Sequence, residues 1–160
     1  MKINNSALIP PILPDDQVEL ITAEAGGKAM TPDWVKTLIM QEIHIETATP
    51  AGTLEAAVEV LDHYAEMGVN GIWVTPIYEK GPGGNGYGNT GPHRVEPALT
   101  GTDDQEKCWQ AVKTFVDEAH RRNIRVLLDV ITWGTMKNAP LTREHPDWYD
   151  GTAWGNVAFN

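Results

Sequence analysis

Cysteine is almost missing from this chain: Cys108 is the only one in 160 residues. That excludes an internal disulfide framework and a thiolate metal cluster. Its place in a helical pattern makes Cys108 a buried thiol rather than a nucleophile. Basic residues are also scarce. Lys and Arg number 12 against 22 Asp and Glu, giving a formal net charge of −10. A nucleic-acid partner needs the opposite footprint and is disfavoured, so none is expected. No apolar run approaches the length that crosses a membrane. The opening MKINNSALIPPILPDD is broken by Pro10, Pro11 and Pro14 and offers neither a secretory apolar core nor a cleavage site. The expectation is a globular, cytoplasmic chain with no membrane partner. An acidic balance suits a neutral substrate and says little more.

What is present is order. Residues 1–36 are rich in Pro, Gly and acidic side chains without a sustained period, and read as an irregular lead-in. From 37 to 160 the pattern is regular. Leu38 to Ile45 is a β-branched run that suits a buried strand. Thr53 can cap the next helix, with Glu55 in its first turn. Leu54, Ala57, Val58, Leu61 and Ala65 give that helix one apolar face, and Gly68 is placed to stop it. Gly71 to Ile77 is a second strand, closed by Pro76. After a long loop, Asp103 and Glu106 form a candidate capping pair. Trp109, Val112, Val116 and Ala119 then line a helix that ends at His120-Arg121-Arg122-Asn123. Ile124 to Ile131 is the third strand. Near-continuous apolar strands alternating with amphipathic helices predict an α/β fold with a parallel sheet covered on both faces. No internal repeat or low-complexity tract is present.

The loop GGNGYGNTGPH, residues 83–93, contains overlapping G-x-G-x-x-G spacings with the glycine just before it: Gly81/Gly83/Gly86 and Gly86/Gly88/Gly91. A phosphate loop must deliver backbone N–H groups to the N-terminus of the next helix. Here Pro92 and Pro97 intervene, Val95 to Leu99 reads as extended, and the helix begins only near Asp103. Nucleotide binding is therefore disfavoured. The other reading is a substrate loop, because Asn85, Tyr87, Asn89 and His93 can hydrogen-bond or stack on sugars, and glycines admit a ligand close to the backbone. Equally, Tyr87 could pack on the base of the loop and the glycines could serve turns alone.

The series resembles the start of the catalytic barrel of the α-amylase-type glycoside hydrolases. The similar pieces are Gln41 to Ile45, Gly52-Thr53-Leu54, Gly68 to Ile77, Gly86-Tyr87, Val95-Glu96-Pro97, Gly101-Thr102, Phe115 to Arg122, and Ile124 to Val130. Pro140-Leu141 with Glu144 to Tyr149 is similar to the segment after the family's third strand. The match runs in order over roughly residues 38–150. It implies a partial (β/α)8 TIM barrel comprising the first three β/α units, with a site at the carboxyl ends of the strands. Residues 37–160 would then be a catalytic-barrel domain truncated after strand three.

The resemblance also implies roles. Asp129, at the end of strand three, matches an aspartate that orients the family's site; the other reading is a carboxylate that binds loop backbone. The family's Asn and His soon after it fall on Trp133 and Gly134, which puts the sugar contact of the His and the calcium contact of the Asn in doubt. Trp133 could stack on a sugar or cover an apolar flank. His93 stands near a lost Asp-Tyr pair and could replace its contact or simply occupy a turn. Tyr87, Asp129, Asn85, His93 and Trp133 are thus the substrate-binding candidates, with no metal site and no cofactor expected. The partner implied is an oligo- or polysaccharide, and the oligomeric state stays open. The family's nucleophile and acid/base, the carboxyl pair that a retaining glycosidase needs, follow strands four and five, beyond this pattern. The expectation is an N-terminal fragment of a glycoside hydrolase or transglycosylase acting on α-glucosidic carbohydrate, inactive alone. The competing expectation is a non-catalytic carbohydrate-binding or scaffold module closed by self-association.

Overall fold

The computed structural model describes residues 32–82, 84, 86–153 and 156–159. Most of the lead-in, together with Asn85, lies outside the described residues. The elements are α1 (Asp33–Lys36), β1 (Met40–Ile43), α2 (Ile45–Ala48), α3 (Leu54–Ala57), α4 (Glu59–Glu66), β2 (Gly71–Val74), β3 (Tyr78–Lys80), β4 (Asn89–Val95), α5 (Gln105–Arg121), β5 (Arg125–Leu128), β6 (Gly134–Met136), α6 (Leu141–Glu144), β7 (Tyr149–Ala153) and β8 (Asn156–Phe159). None of these helices is long and apolar enough to cross a membrane.

The three strands expected from the apolar runs are β1, β2 and β5, parallel and in that order. Each is shorter than its run. Strand one stops at Ile43, because Ile45 already begins the short helix α2. Side chains alternate across the sheet. Ile43, Ile72 and Val74 face the helices and are buried with Leu54, Ala57, Leu61, Val112 and Phe115. Met40, Trp73 and Leu127 face the other way and are 47%, 38% and 37% exposed. The expectation of a sheet covered on both faces is therefore corrected: helices cover one. Crossovers of one hand between strands added in one direction return on the same side, which is the arrangement of a barrel wall.

The caps follow local chemistry. Thr53 Oγ1 accepts from Ala56 N at 3.3 Å, and Gly68 stops α4 at φ +83. The expected single helix is interrupted by a turn at Val58. Before α5 the cap is Asp104 rather than Asp103; its carboxylate accepts from Glu106 N at 3.1 Å and Lys107 N at 3.5 Å. Asn123 follows that helix at φ +58, the left-handed position that Asn tolerates. Arg122 closes the helical layer by donating to Asp62 through Nε (2.6 Å) and Nη2 (3.2 Å), and to Glu118 through Nη1 at 2.8 Å.

Two antiparallel units were not expected. β3 and β4 form a hairpin whose far end is the glycine-rich loop. Pro97 to Leu99, read as extended, is a 3-10 turn, with Glu96 Oε1 accepting from Ala98 N at 3.3 Å. The tail, for which no element was expected, supplies β8, which pairs with both β6 and β7.

Candidate functional site

Hydrogen bonds extend the parallel ladder one step past the strand ends. Thr75 N donates to Ile43 O at 3.0 Å and Asp129 N donates to Val74 O at 2.9 Å. Asp129 is thereby fixed at the carboxyl end of the sheet. Glu42 lies in register with Trp73 and Leu127. Asp129 is two residues beyond Leu127, so alternation places Glu42 and Asp129 on the same bare face.

The hairpin is anchored beside this mouth. Gln105 clasps β4 as another strand would: its Oε1 accepts from Val95 N at 2.8 Å and its Nε2 donates to Val95 O at 3.0 Å. Glu96 accepts from Lys80 N at 3.0 Å, while Lys80 Nζ is ion-paired with Glu46. Arg94 Nε meets Glu79 at 2.5 Å.

The glycines are used by the protein itself. A Cβ on Gly86, which sits at φ +91, would lie 3.0 Å from Pro76 O. A Cβ on Gly81 or Gly88 would lie 2.5 or 3.3 Å from Met136 Sδ. Their smallness lets the hairpin pack against the end of β2 and against β6. No phosphate is needed to explain them.

This packing brings Tyr87 to Asp129. The Tyr87 phenol is pushed above its usual 10.0 by lost hydration, by the charge of Asp129, by its hydrogen bond to that carboxylate, and by the charge of Glu42. Burial and the Asp129 charge push the Tyr78 phenol up as well. Both groups hold their protons more tightly in the fold than in an unfolded chain. Their stabilising contribution is complete below pH 10.0 and fades as pH rises through the raised values. An ultraviolet titration is expected to show two late phenols, assigned with Tyr78→Phe and Tyr87→Phe, and Asp129→Asn should bring both down. Unmoved phenols would remove Asp129 from this cluster.

The remaining candidates are placed differently. His93 is exposed on β4 and makes no ion pair among the described residues. Trp133 stands before β6; its carbonyl accepts from Phe159 N at 2.9 Å, and its residue is 38% exposed. Asn85 lies outside the described residues. Asn89, considered as a sugar ligand, is buried and its Nδ2 donates to Gly134 O at 3.2 Å, so it holds the hairpin to β6.

Residues 23–148 match the family described as alpha amylase, catalytic domain. The chain belongs to the α-amylase family. Alpha-amylase MalA of Haloarcula japonica is 27% identical over 150 residues, 84% of this chain and 22% of that protein. Trehalose-6-phosphate hydrolase of Bacillus subtilis is 29% identical over 105 residues, 63% of this chain and 18% of that protein. The solved structure of the maltogenic alpha-amylase AmyB of Thermotoga neapolitana aligns with a TM-score of 0.64 at 26% identity, over 79% of this chain and 32% of that one. The chain thus spans about a fifth of the length of the curated relatives it matches. Within the α-amylase fold, β1, β2 and β5 are part of the barrel wall.

Calcium, which the α-amylase family resemblance raises through an Asn, meets Trp133 at that Asn's position. It takes six to eight oxygens. The Trp133 side chain offers none, and the described residues contain no group of three or more His, Cys, Asp or Glu placed to hold a metal ion. Glu42 and Tyr78 belong to the cluster around Asp129 and were missed from sequence. A charged residue inside an apolar run was the available sign for Glu42; for Tyr78 there was none, since its neighbour Asp129 is distant in sequence.

Proposed function

We propose that this chain forms the first part of the barrel of a glycoside hydrolase or transglycosylase acting on α-glucosidic carbohydrate, with Asp129 and Tyr87 binding the sugar. The observation that carries this reading is the pairing of the Tyr87 phenol with the Asp129 carboxylate at the carboxyl end of a parallel sheet. Ligand sites in barrels sit at that end. A phenol and carboxylate held together also match the alternating donors and acceptors of a sugar's hydroxyls. The described sheet has three parallel strands, so the carboxylates that the resemblance places after strands four and five are not in it. The 160-residue chain is accordingly proposed to bind sugar without cleaving it.

Titration with maltotriose should give saturable binding that Asp129→Asn and Tyr87→Ala each weaken about tenfold, the scale of one lost charge-assisted hydrogen bond. Binding unchanged in both variants would remove the site. An α-glucosidase assay on the same chain should show no turnover, and cleavage would overturn the claim of inactivity.

A second reading, a binding or scaffold module closed by self-association, is favoured by the bare face bearing Met40, Trp73 and Leu127. It requires a dimer in sedimentation with blue-shifted tryptophan emission. A monomer at micromolar concentration would remove it.

A further inference from the structure

We propose, on the sugar-site reading above, that the mouth of this sheet selects uncharged α-glucosides and rejects their phosphorylated counterparts. The relatives include an alpha-amylase and a trehalose-6-phosphate hydrolase, so family membership leaves the choice open. The charges at the mouth favour one side.

Glu42 and Asp129 share the bare face near its carboxyl end. Strand spacing separates them by about 10 Å across the sheet and about 7 Å along it. A sugar resting on Tyr87 meets the Asp129 carboxylate beside it, with Glu42 close enough to act on the same phenol. A phosphate there lies within the screening length of both, about 10 Å at 0.1 M salt.

The two basic residues of the hairpin strands, Lys80 and Arg94, are committed elsewhere. Lys80 is ion-paired with Glu46, and Arg94 with Glu79. Arg125 begins β5 at the opposite end of the sheet, its guanidinium 4.8 Å from the centre of the Trp34 ring. His93 is the remaining cationic candidate on the hairpin, exposed and without an ion pair among the described residues. To hold a phosphate, the hairpin would have to recruit His93 or break an existing ion pair, beside two like charges. A neutral sugar needs neither change, and carboxylates are good acceptors for its hydroxyls.

The test is a titration of the 160-residue chain with maltotriose, trehalose and trehalose 6-phosphate, at about 20 mM and about 500 mM salt. Trehalose 6-phosphate should bind about tenfold weaker than trehalose at low salt. The gap should narrow at high salt, and Glu42→Gln should narrow it at low salt. Equal or tighter binding of the phosphorylated sugar would overturn the selectivity while leaving the sugar site in place. His93→Ala abolishing such binding would then identify what held the phosphate. Binding by none of the three sugars would overturn the site reading itself and the selectivity with it.

Discussion

Truncating Phe115 to alanine is expected to cost about 3–5 kcal/mol of stability, the largest single loss available in this core. Phe115 lies on the inner face of α5 and is 2% exposed, among Leu54, Val112 and Ala119. It is one of the largest fully enclosed side chains, and its loss leaves a hole between the helical layer and β2. Rigid strands cannot close that hole, so the cavity adds to the lost transfer energy. A domain of ordinary stability has about 5–15 kcal/mol in total, so the variant should unfold at markedly lower urea. Phe115→Leu, which keeps most of the volume, should lose far less. A loss below about 1 kcal/mol for Phe115→Ala would mean that α5 is not seated on the sheet as described.

Restoring histidine at position 134 is expected to unpair β6 from β8. The α-amylase resemblance puts a sugar-contacting His there, and Gly134→His looks like a repair. The structure forbids it. A Cβ on Gly134 would lie 1.9 Å from Val157 O and 2.8 Å from Ala158 Cα, both backbone atoms of the facing strand. Those atoms cannot rotate away as a side chain would, so β8 must move. Overpacking of this kind costs about 1–3 kcal/mol when the surroundings can yield, and here the pairing itself is lost. Phe159 N, which donates to Trp133 O at 2.9 Å, should exchange its proton much faster in the variant. The Asn89 contact to Gly134 O should loosen with it. Gly134→Ala should show the same effect, since the Cβ alone makes the clash. Native exchange at Phe159 in either variant would refute the account. The absent histidine is thus matched by a strand that occupies its place.

The three parallel strands and the helices between them were legible from local pattern. Val112, Val116 and Ala119 recur at helical spacing and are buried as expected, and Ile72 and Val74 alternate on one side of β2. Short-range rules also found the caps at Thr53 and Gly68, and missed the Asp104 cap by one residue. The hairpin was misread as a loop because β3 has three residues and its partner contains Gly91 and Pro92. β8 was not legible because its pairing is decided by β6 and β7 rather than by its own pattern.

The site divides the same way. Asp129 and Tyr87 were marked from sequence by the resemblance, and local chemistry could say no more about them than what each side chain can donate or accept. Their meeting is tertiary: Gly86 must clear Pro76 O, and Gly81 and Gly88 must admit Met136, before the loop can reach the strand end. Glu42 joins them only through the register of β1 on β2 and β2 on β5. Periodicity is set by each chain segment's own geometry and therefore survives in the sequence. Register and loop packing are set by atoms far apart in the chain, so only the folded structure decided which carboxylates share a face.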